Sequence, residues 1–192
     1  MRVFHCRNLA VLVGVCGVIV ASLPVASGQT IKPLPQPPPG VSVERGNYFV
    51  TVQDCNGCHT PFKNGEPDMT RMLSGHPETI NVNPRPQLPA PFETAITGTN
   101  TAWAGPWGLS ITTNLTPDRA TGIGSWTEQM FINAIRTGRK GGSGRPLLPP
   151  MPWRMYAQLT DDDLKSIFMY LKSIPPISNR VPQSVPAPPA AR

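Results

Sequence analysis

Cysteine is scarce in this sequence, with four residues among 192, and two of the four lie within the first 28 residues. A chain that keeps only Cys55 and Cys58 has no disulfide framework of the kind that stabilises small secreted domains. Aromatic residues are also few, at 7%, whereas proline is abundant, with 25 residues. This balance excludes a regular helical bundle or a regular sheet from end to end. Whatever stabilises the fold is something other than disulfide bonds.

Long apolar runs are absent except for one near the N-terminus. Residues 1–28 carry two arginines, then an apolar run from Leu9, then small residues before Gln29, which is typical of a secretory signal peptide. We predict cleavage before Gln29. An uncleaved membrane anchor is the alternative, because the run from Leu9 to Val25 is close to the length that crosses a bilayer.

Two proline-rich segments flank one central domain. Residues 29–41 and 176–192 are dense in proline and lack apolar periodicity, which predicts an extended linker and an extended C-terminal tail. Residues 42–175 between them are enough for one domain and too few for two.

Three segments of this domain combine a helix cap with an apolar stripe. The first starts at Ser42 and runs into Cys55. The second starts at a Ser125–Glu128 capping box and ends at Gly138. The third starts at a Thr160–Asp163 capping box. No segment of similar length alternates apolar and polar residues, so the sequence predicts an all-α domain. Residues 60–124 carry no helical pattern, and so long a loop stays ordered only when it wraps something solid, such as a large prosthetic group.

The pentapeptide Cys-Asn-Gly-Cys-His at residues 55–59 places two thiols beside an imidazole. A structural zinc site requires a donor from a second cluster, and only His76 is on offer. A thioredoxin-like dithiol requires a βαβ setting, and a disulfide across two residues would constrain the unfolded chain very little. Covalent haem uses all three side chains, because Cys55 and Cys58 add to the two vinyl groups and His59 meets the iron. We therefore predict one covalently attached haem c.

The second axial ligand decides whether such an iron carries electrons or binds a substrate. Met151 lies among Pro149, Pro150 and Pro152, which prevent a helix and hold the chain extended. Because a weak thioether ligand must be positioned in advance, we predict Met151 as the distal ligand and one-electron transfer as the function. An open sixth position, as in a haem enzyme or ligand sensor, is the alternative. The other candidate ligands are Met69, Met72, Met130, Met155, Met169 and His76.

Three motifs together resemble class I c-type cytochromes: CNGCH after a short helix, PPMPW before a terminal helix, and a capped last helix that ends in proline. More narrowly, TNLTPDRATGIGSWTEQMFINAIRTG and RPLLPPMPWRMYAQLTDDDLKSIFMYLKSIPP resemble haem domains in the cytochrome subunits of membrane-bound bacterial alcohol, aldehyde and gluconate dehydrogenases. The resemblance implies a cytochrome c-like fold whose first and last helices cross at Gly46 and Tyr170. It implies the same haem residues, namely Cys55, Cys58, His59 and Met151. Those subunits carry several haem motifs, whereas this chain carries one.

The resemblance also implies a role in the cell. We expect a bacterial periplasmic electron carrier, not itself an enzyme, that works with a redox protein donor and acceptor such as a periplasmic or membrane dehydrogenase and a terminal oxidase. A stably docked haem subunit of a dehydrogenase complex is the alternative to a freestanding carrier. Membrane contact is expected only through the N-terminal anchor or through docking.

Further residues are predicted to lie at the rim of the haem. Trp153 is expected to contact the ring, and Asn114 in the NLTP motif to bond a haem propionate, with ordinary packing and an ordinary turn as the alternatives. No acidic residue occurs from Gln129 through Thr160. The cations of this stretch are predicted to surround the haem edge and to attract an acidic redox partner, with a solvated surface as the alternative and no role in binding nucleic acid. They are Arg136, Arg139, Lys140 and Arg145.

Overall fold

The computed structural model describes residues 32–83 and 86–188. The chain divides into two units, Met1–Pro33 and Leu34–Arg192. Almost all of the first unit, and with it the predicted signal peptide or anchor, lies outside the described residues. Within the described ranges, no helix has the length and apolar character needed to cross a membrane.

Five helices form the frame of the second unit. They are α1 (Val43–Val52), α2 (Cys55–His59), α3 (Glu128–Thr137), α4 (Trp153–Tyr156) and α5 (Asp161–Ser173). Ser42 caps α1, and the predicted capping box of α5 is formed by Thr160 and Asp163. The predicted capping box of α3 is wrong, because Thr127 takes the cap position and its hydroxyl accepts from the backbone N–H of Met130. Gly138 ends α3 in the left-handed conformation, as its position predicts.

The first and last long helices cross at Gly46. A Cβ on Gly46 would lie 2.0 Å from the Ser166 backbone oxygen and 2.7 Å from the Cβ of Tyr170. The helices therefore approach closely only because one residue has no side chain. Arg45 Nε donates to the Asp163 carboxylate over 2.9 Å, so an ion pair joins α1 to the start of α5. The predicted crossing at Gly46 and Tyr170 is confirmed.

The long segment between the helices contains strands that the sequence pattern did not reveal. A short hairpin pairs β1 (Phe62–Lys63) with β2 (Glu66–Pro67). A second, antiparallel sheet has the order β3-β4-β5-β6. Its strands are β3 (Ala95–Ile96), β4 (Ala102–Gly105), β5 (Gly108–Ile111) and β6 (Val185–Pro186). The prediction of an all-α domain is thus right for the frame and wrong for the whole, because the frame carries a sheet.

The described part of the C-terminal segment, residues 176–188, contacts the rest of the domain and contributes β6 to this sheet. Asn179 is fully buried, and its Nδ2 donates to the backbone oxygens of Ser74 and His76 over 2.7 and 2.9 Å. Further along, Val185 pairs with Leu109 in β5. The segment is extended, as its prolines predict, but it forms part of the domain and does not project as a tail.

Candidate functional site

The pentapeptide forms α2, a single helical turn that starts at a left-handed residue. Asp54 has φ 52° and ψ 43°, and its carboxylate accepts the backbone N–H of Gly57 over 3.1 Å. A Cβ on Gly57 would lie 2.1 Å from that carboxylate, so a side chain here would displace the cap. The turn places Cys55, Cys58 and His59 on the wall of the same cavity.

This cavity lies between the helical frame and the four-stranded sheet, and its wall is largely apolar. Its empty space, counting the part open to solvent, is about 1220 Å³. Apolar side chains from three elements face it, among them Phe131, Ala134, Ile135, Leu164, Ile167, Leu171 and Ile111. A cavity of this kind suits a large apolar ligand that makes few polar contacts.

His59 is buried and oriented by a single hydrogen bond. Its Nδ1 donates to the backbone oxygen of Thr113 over 2.8 Å, and its Nε2 makes no hydrogen bond within the part of the chain that is described. Burial lowers the pKa of His59, and the bond to Thr113 opposes this only in part. The ring is therefore neutral at neutral pH, with the Nε2 lone pair available as a metal ligand.

The two thiols are separate and protonated. Cys55 and Cys58 are free cysteines. Burial, and then the charge of Asp54, raise the pKa of Cys55 to about 12 and raise the pKa of Cys58 above its ordinary value.

The structure gives no support to a zinc site that includes His76. The ring of His76 is fully buried, with Nδ1 bonded to the Thr101 hydroxyl and Nε2 to the Ile80 backbone oxygen. Both nitrogens are thus engaged away from the cysteines. Across residues 32–83 and 86–188, no cluster of three His, Cys, Asp or Glu side chains is placed to hold a metal ion.

Met151 is the one thioether, among the described methionines, that lines the cavity. It lies between Pro150 and Pro152, which line the cavity with it. Met72 packs against the hydrophobic core. The remaining candidates are exposed at the surface, namely Met69, Met130, Met155 and Met169. The structure therefore brings Met151 to the cavity that holds Cys55, Cys58 and His59.

Two other residues predicted to contact the haem, Trp153 and Asn114, do not line this cavity. Trp153 is absent from the cavity wall and packs on Gly138, where an added Cβ would lie 2.3 Å from its ring. Asn114 is fully buried, and its amide donates to Thr121 Oγ1 and to the Ile177 backbone oxygen. Its Oδ1 accepts from the backbone N–H and the hydroxyl of Thr116. Asn114 thus joins the C-terminal segment to the domain, and its polar atoms are not free for a propionate.

Aromatic residues also line the cavity wall. Trp103 from β4, Trp126 before α3 and Tyr156 from α4 all line it. The Tyr156 hydroxyl donates to the Gln53 backbone oxygen over 2.9 Å, next to the pentapeptide. Trp103 comes from a strand distant in sequence, so no local motif marks it. Tyr156 could have been identified from its position in the sequence, because it follows the Met151 loop within the same short stretch.

The four predicted docking cations separate into two groups. Arg136 bonds the Ala157 backbone oxygen and pairs with Asp161 over 2.6 Å, and Arg139 is exposed and donates to the Gly144 backbone oxygen. Lys140 and Arg145 line the cavity itself.

These residues fit a covalently attached haem. Two free protonated thiols, a neutral imidazole with an unbonded nitrogen and a thioether all reach one apolar cavity. This is the donor set that haem c takes from a protein.

Comparison with known proteins gives relatives that include cytochrome subunits of several dehydrogenases. No family model matches the chain. A fructose dehydrogenase cytochrome subunit from Gluconobacter japonicus is 30% identical over 143 residues, which cover 74% of this chain and 23% of that protein. A gluconate 2-dehydrogenase cytochrome c subunit from Pantoea cypripedii is 31% identical over 128 residues, which cover 67% of this chain and 22% of that protein. The cytochrome c subunit of an alcohol dehydrogenase (quinone) from Gluconobacter oxydans strain 621H is 28% identical over 144 residues, which cover 73% of this chain and 23% of that protein.

The resemblance predicted from the motifs is confirmed for the gluconate and alcohol dehydrogenase subunits. The chain spans less than a quarter of the length of these curated relatives. The similarity therefore concerns one segment of each relative.

Proposed function

The chain is a relative of the cytochrome c subunits of fructose, gluconate and alcohol dehydrogenases, and from this premise we propose that it is a c-type cytochrome. In this proposal it carries a single covalently attached haem and transfers one electron at a time. The observation that carries the proposal is the convergence of Cys55, Cys58, His59 and Met151 on one apolar cavity. We further propose that the protein is exported and acts in the bacterial periplasm, as residues 1–28 predict.

Each of the four residues has a distinct role in this proposal. Cys55 and Cys58 would hold the haem as thioethers, and His59 and Met151 would bind its iron. The iron would supply the chemistry, a reversible change of one unit of charge. With both of these ligands from the protein, the haem would have no open site for a substrate, so the proposed role is electron transfer and not catalysis.

The surrounding residues keep the ligands in place and keep water away. The Thr113 backbone oxygen fixes the orientation of the His59 ring by accepting from Nδ1. Pro150 and Pro152 restrict the backbone on both sides of Met151, which holds the sulfur in position for a weak bond. The apolar wall lowers the local dielectric, and this disfavours the more highly charged, oxidised iron.

The optical spectrum of the exported protein, matured in a host that attaches haem, tests the ligand assignment. In the oxidised wild-type protein we expect a weak sulfur-to-iron charge-transfer band. The band is lost in Met151→Ala, because no other described methionine lines the cavity. The matched control is Met155→Ala, which removes an exposed methionine from α4, directly after the Met151 loop. This variant is expected to leave the band unchanged.

Two outcomes of this experiment would contradict the proposal at different levels. A band that persists in Met151→Ala rejects Met151 as the distal ligand and leaves the haem assignment standing. A wild-type protein without pigment, or with pigment that acidified organic solvent extracts, rejects the covalent haem and the whole proposal.

A second candidate function is a haem subunit stably docked on a dehydrogenase, with electrons passed on toward a terminal oxidase. It is favoured because the relatives are cytochrome subunits of dehydrogenases. The exposed Arg139 offers positive charge for an acidic partner. Gel filtration of native extract at low and high salt, followed by haem staining, separates the candidates. Co-elution with a large complex that Arg139→Glu weakens supports docking, and elution at the monomer position at every salt concentration supports a freestanding carrier.

A further inference from the structure

A cluster of cations stands beside the main cavity. Lys140, Arg145 and Arg180 line a second cavity, whose empty space, counting the part open to solvent, is about 990 Å³. No acidic residue lines this second cavity. None of the three cations forms an ion pair within the described residues, where the ion pairs are Arg45–Asp163, Arg136–Asp161 and Lys165–Asp162.

The two cavities meet at this cluster. Thr113, Lys140 and Arg145 line both of them. Thr113 is also the residue whose backbone oxygen accepts from His59 Nδ1. The cluster therefore lies at an edge of the space that the haem is proposed to occupy, on a wall that also orients the proximal ligand.

The backbone holds Lys140 and Arg145 close to each other. The Lys140 N–H donates to the Arg145 backbone oxygen over 3.0 Å, and the Gly144 N–H donates to the Lys140 oxygen over 2.9 Å. Gly141 and Gly142, with φ of 61° and 91°, permit the tight reversal between them. Partial burial, followed by the charge of Arg145, lowers the pKa of Lys140. As a whole residue Lys140 is exposed and Arg145 is half-buried, and two like charges that the backbone keeps close to each other favour the binding of an anion between them.

We propose that Lys140 and Arg145 bind the two carboxylates of the haem, with Arg180 closing the outer side of the same anion site. This inference rests on the proposed function and adds the orientation of the ring, with the vinyl edge at Cys55 and Cys58 and the carboxylate edge at the cation cluster. Within the wall of the main cavity the acidic residue is Asp54, which caps α2. The carboxylates thus meet cations at one edge and avoid the one acidic residue at the other.

A site of this kind sets the charge that the iron experiences. A cation paired to each carboxylate neutralises a negative charge that otherwise favours the oxidised iron. Removing either cation leaves that carboxylate unpaired, so the oxidised form gains stability and the midpoint potential falls. A cation that lies on the same hairpin and does not line the cavity has a much smaller effect, because solvent screens it.

The test compares five variants of the exported, haem-loaded protein. Lys140→Met and Arg145→Met are expected to lower the midpoint potential and to shift the propionate bending band in the resonance Raman spectrum. Lys140→Arg and Arg145→Lys keep the charge and are expected to restore both values. Arg139→Met is the matched control, because Arg139 belongs to the same hairpin and is absent from both cavity walls. Its proposed docking role does not enter, since the isolated protein is measured.

Several results would overturn the inference. It fails if Arg139→Met lowers the potential as much as the two cavity variants, since the effect would then be one of overall charge. It also fails if Lys140→Met and Arg145→Met leave both readouts unchanged. A shift of the wild-type potential on titration with inorganic phosphate, lost in Lys140→Met, would assign the cluster to a free anion. Haem staining of denatured protein distinguishes these failures from failure of the proposed function, because only the latter abolishes the covalent pigment in the wild type.

Discussion

His76 is a buried residue whose contribution depends on its protonation. Its Nε2 donates to the Ile80 backbone oxygen over 3.0 Å and its Nδ1 accepts from the Thr101 hydroxyl over 2.8 Å, which is the pattern of a neutral ring. Burial lowers the pKa of His76 below its ordinary value of 6.5, although the bond to Ile80 opposes the shift. The unfolded chain therefore takes up a proton as the pH falls through about 6.5, while the folded protein does not.

The first prediction follows from this difference. The stability that neutral His76 contributes is complete above the unfolded pKa and decreases as the pH falls from about 6.5 toward the lower, folded pKa. We expect the melting temperature of the wild type to fall more steeply between about pH 7 and about pH 5 than that of His76→Gln. Thermal unfolding across this range measures the effect. Parallel curves for the two proteins would show that His76 is not the group responsible.

Other single residues could be assigned from the sequence because their chemistry is local. Cys55, Cys58 and His59 are contiguous, and one helical turn brings them to one wall. Met151 was identifiable because its neighbouring prolines exclude it from a helix. Trp153 and Asn114 were assigned by proximity to a motif alone, and packing on Gly138 and hydrogen bonds to residues 177–179 decide their positions instead. Contacts between distant segments leave no such local trace.

At the level of elements, the crossing of α1 and α5 depends on Gly46. An added methyl group meets the Ser166 backbone oxygen at 2.0 Å, and a backbone atom cannot rotate away. The two helices must therefore separate, which also loosens the core between Val50 and Leu164.

The second prediction concerns this crossing. We expect Gly46→Ala to lower the free energy of unfolding by about 2 kcal/mol or more, as overpacking at a close contact does. The control is Gly98→Ala, where an added Cβ has nothing within 4 Å. Denaturant unfolding of the haem-loaded variants measures both. Equal stability of the two would show that the helices tolerate a wider separation at this point.

The elements also show which parts of the fold a sequence pattern can predict. Helix caps and stripes lie within one turn or a few turns, so α1 and α5 could be predicted with their starting residues. The strands could not, because β4 and β5 have four residues each and are buried at every position. A strand buried on both faces has no alternation of apolar and polar residues. Its four-residue length also gives no periodicity to detect.

At the level of the whole molecule, the C-terminal segment joins parts of the chain that are distant in sequence. Asn179 makes bonds to Ser74, His76 and the Glu78 N–H, with the last at 3.0 Å. Asn114 contacts the Ile177 oxygen over 2.8 Å from the other side. The proline content of this segment predicts an extended conformation, but the partner strand lies far away in the chain, so its docking could not be predicted.

The third prediction tests how much this docking contributes. Asn179→Ala removes three hydrogen bonds at a fully buried position and leaves two carbonyl groups without their partner, so we expect a loss of about 3 kcal/mol in the free energy of unfolding. Ser178→Ala is the matched control, because Ser178 is the exposed neighbour of Asn179 in the same segment. Chemical unfolding of both variants measures the difference. A loss below that of the control would show that the segment adds little to stability.

The position of Ser184 has a consequence for the order of assembly. Its hydroxyl accepts from the Ile111 N–H over 2.9 Å, and it forms part of the cavity wall. A polypeptide that emerges from a ribosome or a translocation pore presents Cys55 and Cys58 before Ser184. The cavity therefore lacks one side until β6 has been synthesised, and during that interval the proposed haem would have room to enter from the side that this strand later closes.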